Sequence, residues 1–264
     1  MNLRKKFLSM IFIPVVLFFS VIITYSTIVQ FQKSSNDAQI LAEAVSKEYA
    51  YLVKGQLEVA LNTAKTVSNI SSEMVEQGIT DRKALDLSLR KIIESNDSFY
   101  GIWVVFEPNS FDGKDAEYAG KKEYDAKGRF TSYWFRDGNQ IVREYFEIDQ
   151  VYDPKNNDYY TIPLNSGIET ITEPYYEEVE DGKKVLMTSL AVPIKSGGKI
   201  LGVAGIDMTL EYLQSFIKET KLYETGFGRI VSHEGIVVAH PDESRVGQPK
   251  NDLEKVLFYL KLRV

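Results

Sequence analysis

The sequence predicts an α+β protein carried on a membrane anchor. Three observations point there: a charge-free apolar run at the N-terminus, a long helical stretch after it, and then short strand signals separated by turns and a few helices. The apolar run is Phe7–Val29 (FLSMIFIPVVLFFSVIITYSTIV), preceded by Arg4, Lys5 and Lys6. About 20 apolar residues cross a hydrocarbon core. A cleaved signal peptide is the other reading, but the run exceeds the usual 7–15 residue h-region and no small-x-small site follows it. The flanking charge asymmetry places residues 1–6 in the cytoplasm, the membrane helix at 7–29 and residues 30–264 outside.

Residues 30–78 read as a stalk helix. Leu41, Val45, Leu52, Leu57, Ala60, Leu61, Ala64, Val67, Ile70 and Met74 recur at spacings of mostly three and four, and Gly78 supplies the stop. A second helix starts at Thr80 and carries Leu85, Leu89, Ile92 and Ile93. GIWVVFEP (101–108) is a buried strand, 109–127 a loop, and 128–138 with 141–148 a hairpin around Asp137-Gly138. Residues 149–174 look irregular because of their Asn, Asp and Pro content. From 174 to 210 three strands follow, turning at Asp181-Gly182 and Gly197-Gly198. A helix (EYLQSFIKETKL), a hairpin around His233-Glu234-Gly235 and a short helical stretch complete the chain.

Composition narrows the function. The net charge of −6 and pI near 5.2 argue against nucleic acid, which requires concentrated positive charge. There is no cysteine, so no disulfide, thiolate nucleophile or zinc–thiolate site. The two histidines, His233 and His240, are too few for a histidine metal site, and His240 reads as the close of a strand. No nucleophile elbow, Walker A or dinucleotide glycine pattern occurs. No enzyme activity, metal or cofactor is expected.

The chemically distinctive segment is Asn157–Tyr176, together with Asp207. It holds Asp158, Tyr159, Tyr160, Glu173, Tyr175 and Tyr176. Tyrosine offers a flat apolar face and one hydroxyl, which suits the wall of a small-molecule pocket. Asp207 follows the small, apolar GVAGI, so its carboxylate lies beside buried surface and requires a cation or several donors. Two alternatives stand beside this: the tyrosines are core packing, and Asp207 caps the helix near Leu210 or pairs with a lysine.

YDPKNNDYYTIPLNSGIETITEPYY, VLMTSLAVPIKSGGKILGVAGIDMTLEYL and GRIVSHEGIVVAHPDESRVGQ together resemble the double Cache (dCache_1) sensor domain of bacterial methyl-accepting chemotaxis proteins and some sensor histidine kinases. The resemblance implies a PAS-like membrane-distal module that binds ligand, here 79–222. It also implies a membrane-proximal module, here 223–264 and partial, so that the chain would stop before its second membrane helix and its cytoplasmic output domain. In amino-acid-binding members an Arg-x-Trp-Tyr stretch, a later Tyr and a final Asp hold the ligand. Asn157 falls at the Arg position, Tyr159 at the Trp, Tyr160 and Tyr175 at the two Tyr, and Asp207 at the Asp. Without the arginine fork the carboxylate clamp is lost while the ammonium partner remains, and Asp158 adds a second carboxylate.

The expectation is therefore the extracytoplasmic sensor of a homodimeric transmembrane chemoreceptor in the bacterial plasma membrane. Its ligand would be an amine, an amino acid or a purine-like solute, with preference for one lacking a free carboxylate, and its output domain would contact kinase machinery. A histidine kinase or cyclase sensor is the first alternative, and a membrane-anchored hydrolase the second.

Overall fold

The computed structural model describes residues 3–146, 157–179, 183–219, 221–222, 226–250 and 258–261. The chain divides into two compact units, 1–48 and 49–264. Helix α1 (Leu3–Glu76) begins in the first and ends in the second. Within the first unit Phe12, Leu17, Phe18 and Ile23 are all more than half exposed. This is the one helix among the described residues that is long and apolar enough to cross a membrane.

In the second unit α1 buries Val53, Leu57, Ala60, Ala64 and Val67, a 4-3-4-3 spacing that keeps one stripe on the core. The expected stripe is only partly right. Leu52 and Ile70 face solvent, and Val53, one position round the helix, takes the buried place. The helix ends in a Schellman arrangement: Gly78 has φ +67°, its N–H donates to Val75 O, and Ile79 N–H donates to Met74 O. Helix α2 (Arg82–Glu94) starts two residues later than Thr80, with Asp81 capping it through Ala84 N–H at 3.0 Å.

The chain then forms β1 (Gly101–Phe106), α3 (Asp115–Tyr118), β2 (Thr131–Asp137) and β3 (Gln140–Glu144). Next come α4 (Asp158–Ser166), β4 (Thr170–Ile171), β5 (Tyr175–Glu178), β6 (Lys184–Ser196), β7 (Lys199–Thr209) and α5 (Glu211–Glu219). The last elements are β8 (Lys221–Leu222), β9 (Gly226–Val231), β10 (Val237–Ala239), a 3-10 turn (Glu243–Arg245) and β11 (Phe258–Lys261). Helix α4 and strand β4 lie in the stretch expected to be irregular. The α4 backbone tolerates Pro163 and stops at Gly167, whose N–H bonds Pro163 O with φ +67°. The Asp181-Gly182 turn and residues 147–156 lie outside the described residues.

Seven of the described strands form an antiparallel sheet in the order β3-β2-β1-β7-β6-β4, with β5 also pairing β6. One face, carrying Ile102, Val104, Leu190, Ala204 and Ile206, packs in the same core cluster as residues of α1 and α2. Side chains alternate along a strand, so Trp103, Val105, Ala191 and Val203 occupy the other face, where Tyr160 and Leu164 of α4 cover them. A second sheet, β10-β9-β11 with β8 also on β9, contains the parallel pair β9–β11. β11 was not expected from the sequence, and β8 joins this sheet two residues before 223. His240 does follow the end of a strand, and its N–H bonds Gln214 Oε1 of α5 at 3.0 Å.

Candidate ligand site

Asp207 lies inside β7, paired with Ser189 of β6 on one side and Gly101 of β1 on the other. It is a strand residue, so the expectation that it might cap a helix is corrected: α5 starts at Glu211. Its carboxylate is buried and held by neutral donors. Oδ1 accepts from Trp103 Nε1 at 3.0 Å and from Ser189 Oγ at 2.6 Å, and the Tyr133 hydroxyl bonds the same carboxylate. Burial pushes the Asp207 pKa above the usual carboxylate range, against the pull of these three hydrogen bonds. An ionised carboxylate offers about four acceptor positions, so three donors leave room for one more. No salt bridge satisfies it among the described residues.

Two glycines make this arrangement sterically open. A Cβ on Gly205 would stand 2.2 Å from Trp103 Cζ2, so only glycine lets the indole lie across β7 and reach Asp207. A Cβ on Gly101 would stand 2.5 Å from Tyr133 Cε2, and its absence lets that ring approach the carboxylate.

Above this floor lies a cavity of about 440 Å³ lined by Asp158, Tyr159, Thr172, Glu173, Pro174, Tyr175, Tyr176 and Glu177. Tyr159 meets Trp103 edge to face, with centroids 5.3 Å apart. The Tyr175 hydroxyl shares a 2.8 Å hydrogen bond with Ser189 Oγ, so Asp207 stands one side chain behind the cavity wall. Burial, then the Asp207 charge, holds Tyr159, Tyr175 and Tyr133 well above the ordinary phenol range. The same two causes raise Glu177. Tyr100 is pushed up to about 12 by burial, with Asp137 and Asp207 adding to it. Among the described residues the wall therefore carries three carboxylates and three tyrosines and no basic side chain.

The six candidates from the sequence divide. Asp158, Tyr159 and Tyr175 line the cavity and Asp207 backs it. Tyr160 is completely buried and points elsewhere: its hydroxyl bonds Glu107 and, at 2.6 Å, Arg129 Nη2. On α4 neighbouring residues point about 100° apart, and here Tyr159 faces the cavity while Tyr160 turns to Arg129 and Glu107. Asn157 precedes α4, its carbonyl accepts from Tyr160 N–H and Thr161 N–H, and it is not part of the cavity wall. Trp103, Tyr133, Ser189 and Glu177 were missed. They come from four strands, β1, β2, β6 and β5, and the available clue was the pair of glycines, Gly101 and Gly205, in buried strands.

Residues 85–215 match the family described as methyl-accepting chemotaxis protein-like, first PDC sensor domain. The chain is 32% identical over 161 residues to the methyl-accepting chemotaxis protein TlpQ of Pseudomonas aeruginosa, covering 56% of this chain and 22% of that protein. Among solved structures, the extracellular domain of mmHK1S-Z2, assigned as a histidine kinase, superposes with a TM-score of 0.70 at 28% identity, covering 80% of this chain and 76% of that one. Methyl-accepting Chemotaxis protein X superposes with a TM-score of 0.64 at 27% identity, covering 86% and 80%. The chain thus spans about a fifth of TlpQ's length, the part in which that receptor and this chain are alike. In residues 85–215 the chain carries a Cache (PDC) sensor domain of the chemoreceptor type.

Proposed function

We propose that the chain is the sensing part of a transmembrane chemoreceptor that binds a small cationic amine through its membrane-distal module, residues 79–222. The observation that carries this is the charge of the site: a buried carboxylate held by neutral donors, behind a wall of tyrosines and further carboxylates with no base among the described residues. Bringing a carboxylate ligand into that field costs Coulomb energy, whereas an ammonium group lowers the cost already incurred by burying Asp207. The aromatic faces of Tyr159 and Tyr175 add cation–π attraction. The ammonium sits between Tyr159 and Tyr175, with Asp158 and Glu177 at the wall, and the Asp207 charge attracts it from one side chain behind. Tyr160 serves as scaffold, and Asn157 supplies no charge for a carboxylate. The protein acts by binding, without catalysis.

The apolar helix spans the bacterial plasma membrane with residues 1–6 inside and 30–264 outside. Leu52, Val59 and Ile70 of α1 are exposed and fall on one line, spaced seven and eleven residues apart. That line lies about 100–120° round the helix from the buried stripe and suits a homodimer of stalks. Ligand would act by favouring one of two stalk arrangements over the other. The superposition on the mmHK1S-Z2 ectodomain favours one second reading, in which the same sensor serves a histidine kinase.

Calorimetry on the full chain in detergent tests the ligand class. Short aliphatic amines bind and ordinary L-amino acids bind at least tenfold more weakly. Asp207→Asn weakens amine binding about 30-fold or more, as expected when one partner of a buried charge pair is removed at a cost of about 2–5 kcal/mol. Tight binding of L-amino acids with none of amines overturns the reading.

A further inference from the structure

Strand β5 (Tyr175–Glu178) forms part of the wall of the tyrosine cavity, and it is a four-residue edge strand that pairs with β6 alone among the described strands. So short a ladder holds a strand weakly, which leaves its position to side-chain ties. Side chains alternate along a strand, and its first two tyrosines take opposite partners. Tyr175 turns inward, its hydroxyl sharing the 2.8 Å hydrogen bond with Ser189 Oγ. Tyr176 turns outward: its hydroxyl donates to Val246 O at 3.1 Å, and its ring lies against Gly247. A Cβ on Gly247 would stand 2.3 Å from that hydroxyl oxygen and 2.6 Å from Cε2, and the residue's φ is +79°, so glycine is what lets the ring close on this backbone.

The backbone that Tyr176 grips belongs to the second sheet. Gly247 N–H donates to Val237 O, Val237 N–H to Gln248 O and Lys250 N–H to Gly235 O, each at 2.8 Å, so residues 247–250 run as an added edge beside β10. A second tie lies close by, where Glu173 Oε1 accepts from Glu234 N–H at 3.1 Å. The wall of the tyrosine cavity is thus pinned from outside by the second sheet.

We propose that Tyr176 is a positioning residue for the tyrosine cavity: it fixes β5 against the second sheet, so that the placement of the wall and the order of the 247–250 edge are one equilibrium. A ligand that needs the wall in place then firms the edge, and a loosened edge weakens the ligand by the same factor. The tie stands on geometry alone, and its effect on an amine rests on the amine reading above.

Hydrogen–deuterium exchange on the full chain in detergent tests the tie without ligand. Tyr176→Phe keeps the half-exposed ring and removes one neutral hydrogen bond. Exchange at Val237, Gly247 and Lys250 and across residues 172–178 then quickens together, about fivefold, while residues 101–106 of β1 keep the parent rate. Unchanged rates overturn the proposal, as does quickening at the edge alone, or equal quickening in β1, which marks a general loss of stability. With n-butylamine as probe, the parent exchanges more slowly at the same three amides. In Tyr176→Phe that protection is lost and the affinity read by calorimetry falls about fivefold. Protection that persists in Tyr176→Phe, or amine binding that brings no protection to the parent, overturns the proposal. Failure of n-butylamine to bind the parent counts against the amine reading, and the ligand-free rates still decide the tie.

Discussion

Gly205→Ala probes how the floor beneath the tyrosine cavity is built. The added methyl would stand 2.2 Å from Trp103 Cζ2 and 2.5 Å from Cε2. Carbon atoms rest at about 3.5 Å or more, so the indole must retreat by about 1.3 Å, the difference between that distance and the 2.2 Å contact. Its 3.0 Å bond to Asp207 does not survive such a shift. Overpacking costs about 1–3 kcal/mol, and a hydrogen bond to a charged group is worth about 1.5–3 kcal/mol. The expected loss is about 2.5–6 kcal/mol, a large part of the typical 5–15 kcal/mol stability of a domain. Urea unfolding reads the loss directly. The chain has two tryptophans, so emission in a Trp134→Phe background reports Trp103 alone and should shift with its surroundings. An unfolding free energy within about 1 kcal/mol of the parent, with unchanged Trp103 emission, would refute the reasoning.

Gly55→Ala is the contrasting case: nothing lies within 4 Å of the new methyl, and α1 should gain up to about 1 kcal/mol from helix propensity, seen as an unchanged or raised melting temperature. Tyr160→Phe leaves the buried Arg129 guanidinium short of an acceptor and should cost about 1–3 kcal/mol in urea unfolding, while amine affinity stays within twofold. Arg82 bonds Asp112 through Nε and Nη2 at 2.8 and 2.7 Å and Asp115 at 2.7 Å in a buried cluster, so Arg82→Met should cost about 3–5 kcal/mol by leaving two carboxylates uncompensated; a loss below about 1 kcal/mol would remove the cluster from the stabilising network. Asp207 has a folded-state pKa above its unfolded value, so it contributes stability below the unfolded value that is lost as pH rises through the folded one. Accordingly, Asp207→Asn should be more stable than the parent near neutrality in the absence of amine, with the advantage shrinking in acid as measured by melting temperature across pH; a constant difference would contradict the assignment.

Much of the fold was legible because local chemistry specified it. The 23-residue charge-free run, the stop at Gly78, the Gly197-Gly198 turn with both φ positive and the buried GIWVVF strand each follow from one segment's own sequence. Helix α4 was not legible: Asn157, Asp158 and Pro163 signal a turn in isolation, and it is the burial of Tyr160 and Leu164 against the sheet that makes the helical form pay off. Val53 replaced Leu52 in the stalk's core stripe for a similar reason, since two adjacent apolar residues are equivalent until a sheet lies against one of them.

The long apolar N-terminal helix, its continuation to Gly78, the strand signals and the presence of a tyrosine-rich, acidic segment follow from the sequence alone, because hydropathy, periodicity and turn chemistry act over a few residues. Which of those tyrosines face a cavity was decided by tertiary structure. Tyr159 and Tyr160 are neighbours in the chain yet end on different partners, because a helix turns by about 100° per residue and only packing says where it points. The same holds for Asp207: strand pairing brings Ser189, Trp103 and Tyr133 to its carboxylate from positions up to about a hundred residues away, and no local rule links residues so far apart in the chain.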